Sequence, residues 1–256
     1  MTVRYGGYQL RWLGYSCARI ETPGGTVIYT DPGRYGTLDG TWADRYGGMA
    51  HPTGPAYDER DGDFVVVTHD HHYDSDGVRR VANDDATILV FEAVDAGRIR
   101  DNGRDADDPE ALDLDVVRVA YDETHSFDDV TVDVLPAYNH PDGPNVQSDG
   151  TPLHPEGFGC GFNITVDDVS FLWPGDSDVL ERHGELDVSV LLPSIASSFT
   201  MDRHDAASLA ETLDPELVLP IHYNTFDALR ADSRAFAADV ASLGIPVALD
   251  ERGGIS

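Results

Sequence analysis

Hydrophobic positions in the first thirty residues fall in alternating, β-rich runs. Residues 8–22 read Tyr-Gln-Leu-Arg-Trp-Leu-Gly-Tyr-Ser-Cys-Ala-Arg-Ile-Glu-Thr with one glycine break, and residues 26–30 read Thr-Val-Ile-Tyr-Thr after the turn signal Pro23-Gly24-Gly25. Period-two segments bounded by turn residues predict two strands joined by a hairpin. Residues 33–60 are rich in Gly, Pro and Tyr without periodicity, which predicts a long surface loop near a site. The continuous run Phe64-Val-Val-Val-Thr68 predicts a strand buried on both faces. Further strands are predicted at 115–120, 130–135, 160–166, 169–173, 188–192 and 217–220, with a charged loop over 101–110. Two stretches have helical spacing. Residues 202–213 place Ala206, Leu209, Ala210 and Leu213 on one face, with Asp202 or Thr200 as cap. Residues 233–243 place Phe236, Val240 and Leu243 together, between the cap Asp232 and the stop signals Gly244 and Pro246. Strands come first, then strands alternating with helices, with no repeat and no linker. That order predicts one α/β (α+β) domain over residues 1–256, with two sheets inside and helices outside.

Composition adds one strong fact. The chain of 256 residues is 41% hydrophobic, enough for a sizeable core, yet carries a formal charge of −30. All 17 basic residues are Arg, and the acids are dispersed along the chain. Dispersed carboxylates without lysine resemble the surfaces of proteins from salt-loving archaea. There the Debye length falls to about 3 Å at 1 M salt and self-repulsion is tolerated. The same charge argues against a nucleic-acid partner, since gripping phosphates takes a basic track. The two cysteines, Cys17 and Cys160, have no metal-knuckle spacing and read as small buried hydrophobes. No apolar run reaches the roughly 20 residues that span a bilayer, and the N-terminus has no signal-like apolar region. The expectation is a soluble cytoplasmic protein with no membrane contact. Nothing in the pattern speaks to oligomeric state.

The chemistry concentrates where strands end. Thr68-His69-Asp70-His71-His72-Tyr73-Asp74 follows the buried run directly. Imidazoles at i and i+2 on a tight loop after a strand can converge on one ion at about 2.0–2.1 Å. The same arrangement recurs where 169–174 leads to Gly175-Asp176-Ser177, where 217–221 leads to His222-Tyr223-Asn224, and where 132–139 leads to His140, with His154 further on. One such residue alone reads as a cap; four strand ends carrying ligand-type residues point to one rim.

The order of these motifs resembles the metallo-β-lactamase superfamily, whose hallmark is His-x-His-x-Asp-His followed by a later His, an Asp and a final His. Within it, Trp12-Leu-Gly-Tyr-Ser16, Gly175-Asp-Ser177, Phe199-Thr-Met-Asp202 and Ile221-His-Tyr-Asn-Thr-Phe226 resemble small prokaryotic hydrolases related to ascorbate-6-phosphate lactonase. The resemblance implies an αββα sandwich with its site at one edge of the two sheets. It implies His69 and His71 as ligands of one metal, Asp176 as the bridging carboxylate and His222 as the last histidine, serving a second metal. For the remaining ligand of the first metal, His140 stands at the expected strand end. However, Ala137-Tyr-Asn139 resembles a variant in which Asn takes that place, followed by an element like His154-Pro-Glu-Gly157. His140 is preferred and His154 stays open. The chain departs from the hallmark at one place: Tyr73-Asp74 stands where the family has Asp-His. Asp74 is then either a rebuilt ligand, with His72 helping, or the second site is weak.

The expected activity is hydrolysis of a small ester, lactone or phosphodiester by a hydroxide on a divalent ion. Zinc leads as that ion, with manganese or iron as alternatives, and one or two ions bind. Asp74 and Asp176 are the catalytic candidates for handling the water's proton, and Asp31, Asp70 and Asn224 are expected to orient ligands. For Asp31, a turn cap before Pro32 is an equal reading. His51, His125, His183 and His204 read as solvated. Rival readings are a nuclease on the same scaffold, which the charge opposes, and a metal-binding protein that has lost catalysis, which the Tyr73-Asp74 departure favours.

Overall fold

A computed structural model describes residues 2–46 and 56–251; His51 and the middle of the expected 33–60 loop lie outside them. The chain divides into two units, Met1–Val119 with Asp250–Ser256, and Ala120–Leu249. Each unit is built on one mixed sheet.

In the first unit a short strand β1 (Val3–Tyr5) comes first, the opening alternation of residues 8–22 forms not one long strand but two short ones, β2 (Tyr8–Gly14) and β3 (Cys17–Glu21), and β4 (Val27–Thr30) follows. Gly14 lies at positive φ and Tyr15 follows in the left-handed region. The chain reverses there, so residues 8–22 are themselves a hairpin rather than the single strand expected. After α1 (Trp42–Arg45) come β5 (Gly62–Val67), α2 (Ser75–Val81), β6 (Ala82–Phe91), α3 (Ala96–Asp101) and β7 (Asp115–Val119). The sheet runs β1 to β7 in order. Pairing is antiparallel from β1 to β4 and parallel from β4 to β7. Val65, Val66 and Val67 are fully buried, as a parallel strand covered on both faces requires. β6 was hidden in sequence because its first half, Ala-Asn-Asp-Asp, is polar. Part of the 33–60 stretch packs down rather than lying on the surface: Leu38 and Trp42 are buried. The returning C-terminal segment is tied to β2, where Asp250 accepts the Trp12 N–H at 2.8 Å.

The second unit repeats this plan with β8 (Thr124–Phe127), β9 (Val130–Ala137), β10 (Gly159–Val166), β11 (Val169–Trp173), β12 (Val190–Leu191), α4 (Arg203–Leu213), β13 (Leu217–Val218) and α5 (Ser233–Ser242). Pairing is antiparallel from β8 to β11 and parallel from β11 through β12 to β13. Both predicted helices form where expected, capped by Asp202 and Asp232, and pack on each other. β9, β11 and β13 therefore point the same way, and their C-terminal ends share one edge of the sheet. Parallel strand ends are where an α/β sheet gathers its ligands. Cys17 and Cys160 are both buried thiols. No helix among the described residues is long and apolar enough to cross a membrane.

Candidate metal centre

In the first unit, the β5 strand delivers Thr68 and His69 beside Asp31, which follows the neighbouring parallel strand β4. Asp31 is fully buried and holds a left-handed φ of 36°, a conformation that costs a non-glycine residue roughly 1 kcal/mol or more. Its Oδ1 accepts the Thr68 N–H at 2.8 Å, and its Oδ2 accepts the Thr68 hydroxyl at 2.9 Å. The same Oδ2 lies 2.9 Å from His72 Nδ1. With the Thr68 hydroxyl hydrogen spent on Asp31, its Oγ1 accepts from His69 Nδ1 at 2.9 Å. One buried carboxylate thus puts the hydrogen on Nδ1 of both imidazoles, directly for His72 and through Thr68 for His69. The lone pair of each sits on Nε2, the form that binds metal. His69 and His72 are buried and His71 is exposed. Both His71 and His72 offer a ring nitrogen within 4.8 Å of one on His69.

The loop itself is clamped from outside. Asp70 accepts the Asp95 N–H at 2.9 Å and the Arg98 guanidinium at 2.5 Å, so it anchors the loop to α3. Arg104 donates to the carbonyls of Asp70 and Tyr73, and Arg34 donates to that of His71 at 2.7 Å. Burial lowers the Arg104 pKa, a measure of how far this guanidinium is drawn from water. Sequence reading missed both arginines, because backbone carbonyl contacts leave no motif.

Tyr73 and Asp74 take structural places. Tyr73 is fully buried and donates its hydroxyl to the Asp107 carbonyl at 2.8 Å; burial raises its phenol pKa. Asp74 is the N-cap of α2, its Oδ1 accepting from the N–H groups of Asp76 and Gly77 at 3.0 and 3.1 Å. Its Oδ2 accepts from Arg34 N at 2.9 Å. Both oxygens expected to bind metal or handle a proton are thereby engaged by backbone donors. The reason is local: an Asp just before a helix satisfies N–H groups that have no partner inside it.

In the second unit, three ligand-type side chains meet. Asp176 follows β11 through Gly175, whose φ of 70° suits glycine and where a Cβ would collide with the Cys160 carbonyl. His222 follows β13, itself left-handed at φ 58°. His154 comes from the loop between β9 and β10. His154 Nε2 lies 3.5 Å from Asp176 Oδ2, and His222 Nε2 lies 3.4 Å from Asp176 Oδ1; all three are buried. Of the two histidines left open by the sequence, the one beside Asp176 is His154. His140 is exposed, with its Nε2 3.2 Å from the Val179 carbonyl and its backbone N–H on Asp178. Chain geometry accounts for this: β9 ends at Ala137, and Asn139, not His140, turns inward there.

Asn139 and Asp178 hold His154 in place. Asn139 Oδ1 accepts the His154 N–H at 2.9 Å and lies 3.3 Å from its Nδ1; the Phe199 carbonyl is 3.2 Å from the same nitrogen. Asn139 Nδ2 donates to Asp178 Oδ1, as does Asn145 Nδ2. Both neighbours of His154 Nδ1 are carbonyl oxygens, so Nδ1 carries the hydrogen and Nε2 the lone pair. Burial pushes the His154 pKa down to about 4, opposed by the Phe199 contact and the charge of Asp178, which keeps the ring neutral. A neutral nitrogen lone pair then faces a carboxylate oxygen across 3.5 Å. Two acceptors at that distance call for a cation between them, and imidazole with carboxylate is a donor set suited to a divalent ion. Asp178 went unnoticed in sequence, although it lies two residues past Asp176 with the same strand-end signal.

The remaining sequence expectations fall elsewhere. Asn224 staples its own loop, exchanging side-chain hydrogen bonds with Ala231 N and O. His204 is exposed, and His125 sits beside Glu123 at 3.0 Å. His183, expected in solvent, is fully buried, its Nδ1 accepting the Leu180 N–H; burial pushes its pKa down to about 4.

Comparison with known proteins gives these geometries a family. A model of the β-lactamase superfamily domain matches residues 9–222. A UPF0173 metal-dependent hydrolase of Pyrococcus horikoshii is 30% identical over 238 residues, covering 89% of this chain and 90% of that protein. The fold is similar to Igni18, a metallo hydrolase from Ignicoccus hospitalis, with a TM-score of 0.63 at 21% identity over 96% of both chains. It is also similar to the metallo-β-lactamase fold protein YhfI of Bacillus subtilis, with a TM-score of 0.58 at 12% identity over 94% and 90%. The chain belongs to the metallo-β-lactamase superfamily, among its metal-dependent hydrolases.

Proposed function

We propose that this protein hydrolyses a small ester, lactone or phosphodiester with divalent metal, zinc in the first place, for which the first unit supplies His69 and His71 as ligands and the second unit supplies His154, Asp176 and His222. The observation that carries this is the buried trio His154, Asp176 and His222, with an imidazole at each carboxylate oxygen. Such an ion, when bound, acidifies water and polarises a carbonyl or phosphoryl oxygen. The chain's own residues do the rest. Asp31 through Thr68, and Asn139 with the Phe199 carbonyl, hold His69 and His154 with Nε2 as the donor atom. Burial keeps His154 neutral, so it stays a ligand at neutral pH. The Asp176 carboxylate, rather than that of Asp74, takes the proton of the attacking water. The likeness of Trp12–Ser16 and Ile221–Phe226 to the lactonase-related branch favours lactones within this group. The family match running from residue 9 to residue 222 supports reading residues 1–256 as one hydrolase domain, and the dispersed carboxylates support a salt-rich cytoplasm as its setting.

The test is turnover on a panel of lactones, aryl esters and phosphodiesters, for protein purified at high salt without chelator. Chelation should abolish activity and zinc restore it, while Asp176→Asn should cost about 100-fold or more in kcat. Metal-loaded protein that turns over nothing on such a panel would sink the proposal.

A further inference from the structure

The departure at Tyr73-Asp74 leaves the family's second metal without its usual pair, and the first unit holds another residue suited to that task. His72 lies at the position between the hallmark residues, where the family pattern makes no demand. Here it is fully buried, which a histidine with no polar task would resist. Its Nδ1 is 2.9 Å from Asp31 Oδ2, and both side chains are wholly out of solvent. A buried carboxylate bound to one imidazole nitrogen is the arrangement that orients histidine ligands and raises their basicity. Asp31 adopts left-handed backbone to reach it. The edge of Tyr15 packs on the His72 ring at 4.8 Å and fixes its plane. A ring nitrogen of His72 lies within 4.8 Å of one on His69, close enough for neighbouring ions to be served by the two. Asp74, by contrast, has its oxygens on three backbone N–H groups.

We propose that His72, oriented by Asp31, is a ligand to a second metal ion, and that Asp74 is a helix cap with no metal role. This rests on the metal-hydrolase reading above but fails separately from it. The Thr68 hydroxyl links the two imidazoles through the same carboxylate, so one buried charge sets the ligand form of both histidines.

The experiment is metal stoichiometry by elemental analysis of the full chain, paired with cobalt(II) titration followed by its visible spectrum. Wild type should bind two equivalents. His72→Gln should bind one, and Asp74→Asn, which keeps a capping oxygen, should bind two. Should His72→Gln fail to fold by circular dichroism, the smaller amide of His72→Asn gives the same reading: the second equivalent should be lost, with the first cobalt band retained. One equivalent in wild type overturns the His72 assignment and leaves the single-ion hydrolase standing. Two equivalents retained in His72→Gln, or one lost in Asp74→Asn, also overturns it. No metal in wild type overturns both readings.

Discussion

Asn139 uses both ends of its amide, accepting from His154 and donating to Asp178 and to the Phe199 carbonyl. A histidine on a loop between strands has many rotamers; this amide leaves it one. Replacing Asn139 with Ala would leave the ring nitrogen with the Phe199 carbonyl and remove one of the donors to Asp178. Partners of this kind are commonly worth 10- to 100-fold in metal affinity. Asn139→Ala should therefore weaken metal binding by about that factor, measured by competition with a chromophoric chelator. A folded variant with unchanged affinity would show that His154 is positioned without it. At this scale the sequence was partly legible. The candidates His69, His71, Asp176 and His222 stood out because each follows an apolar strand, and Asp178 shares that signal, whereas Asn145 and Arg104 act through contacts distant in the chain and leave no spacing to read.

The 3-10 turn Glu181–Glu185 carries His183 inward, where its ring accepts a backbone N–H and titrates at about 4 rather than 6.5. An unfolded chain binds a proton at this group between those pH values and the folded chain does not, so stability rises with pH across that window. The stabilisation is whole above about pH 6.5 and fades as pH falls toward 4, by roughly 1.4 kcal/mol for each step of one in pH. His154 acts in the same direction. A His183→Gln variant, whose amide oxygen can still accept the Leu180 N–H, should lose less stability than wild type between pH 7 and pH 5 in urea unfolding. Equal losses in both would assign the acid sensitivity elsewhere. The elements themselves divide by signal strength. α4 and α5 were readable from spacing and caps, while β6 and α2 were not. A polar start disguised the strand, and the chemistry of Asp74 drew attention from its place as a cap.

For the whole molecule, the charge of −30 over 256 residues makes salt a stability variable. At 0.01 M salt the Debye length is about 30 Å and carboxylates repel across the surface; at 1 M it is about 3 Å. The unfolding midpoint should climb as potassium chloride rises from low to molar concentration. A midpoint indifferent to salt would mean that ion pairs such as Arg19 with Asp61 and Glu21 already neutralise the repulsion.

Sequence alone determined the family, the strand-end placing of the candidate ligands and both C-terminal helices. Each rests on local features: apolar runs, caps and the residues that follow them. Only tertiary structure set His154 rather than His140 beside Asp176, turned Asp74 into a cap and brought Asp31 to His72. Those outcomes depend on which way a side chain faces once strands from separate parts of the chain lie side by side. A one-residue step at a strand end reverses that facing, and spacing along the chain does not record it.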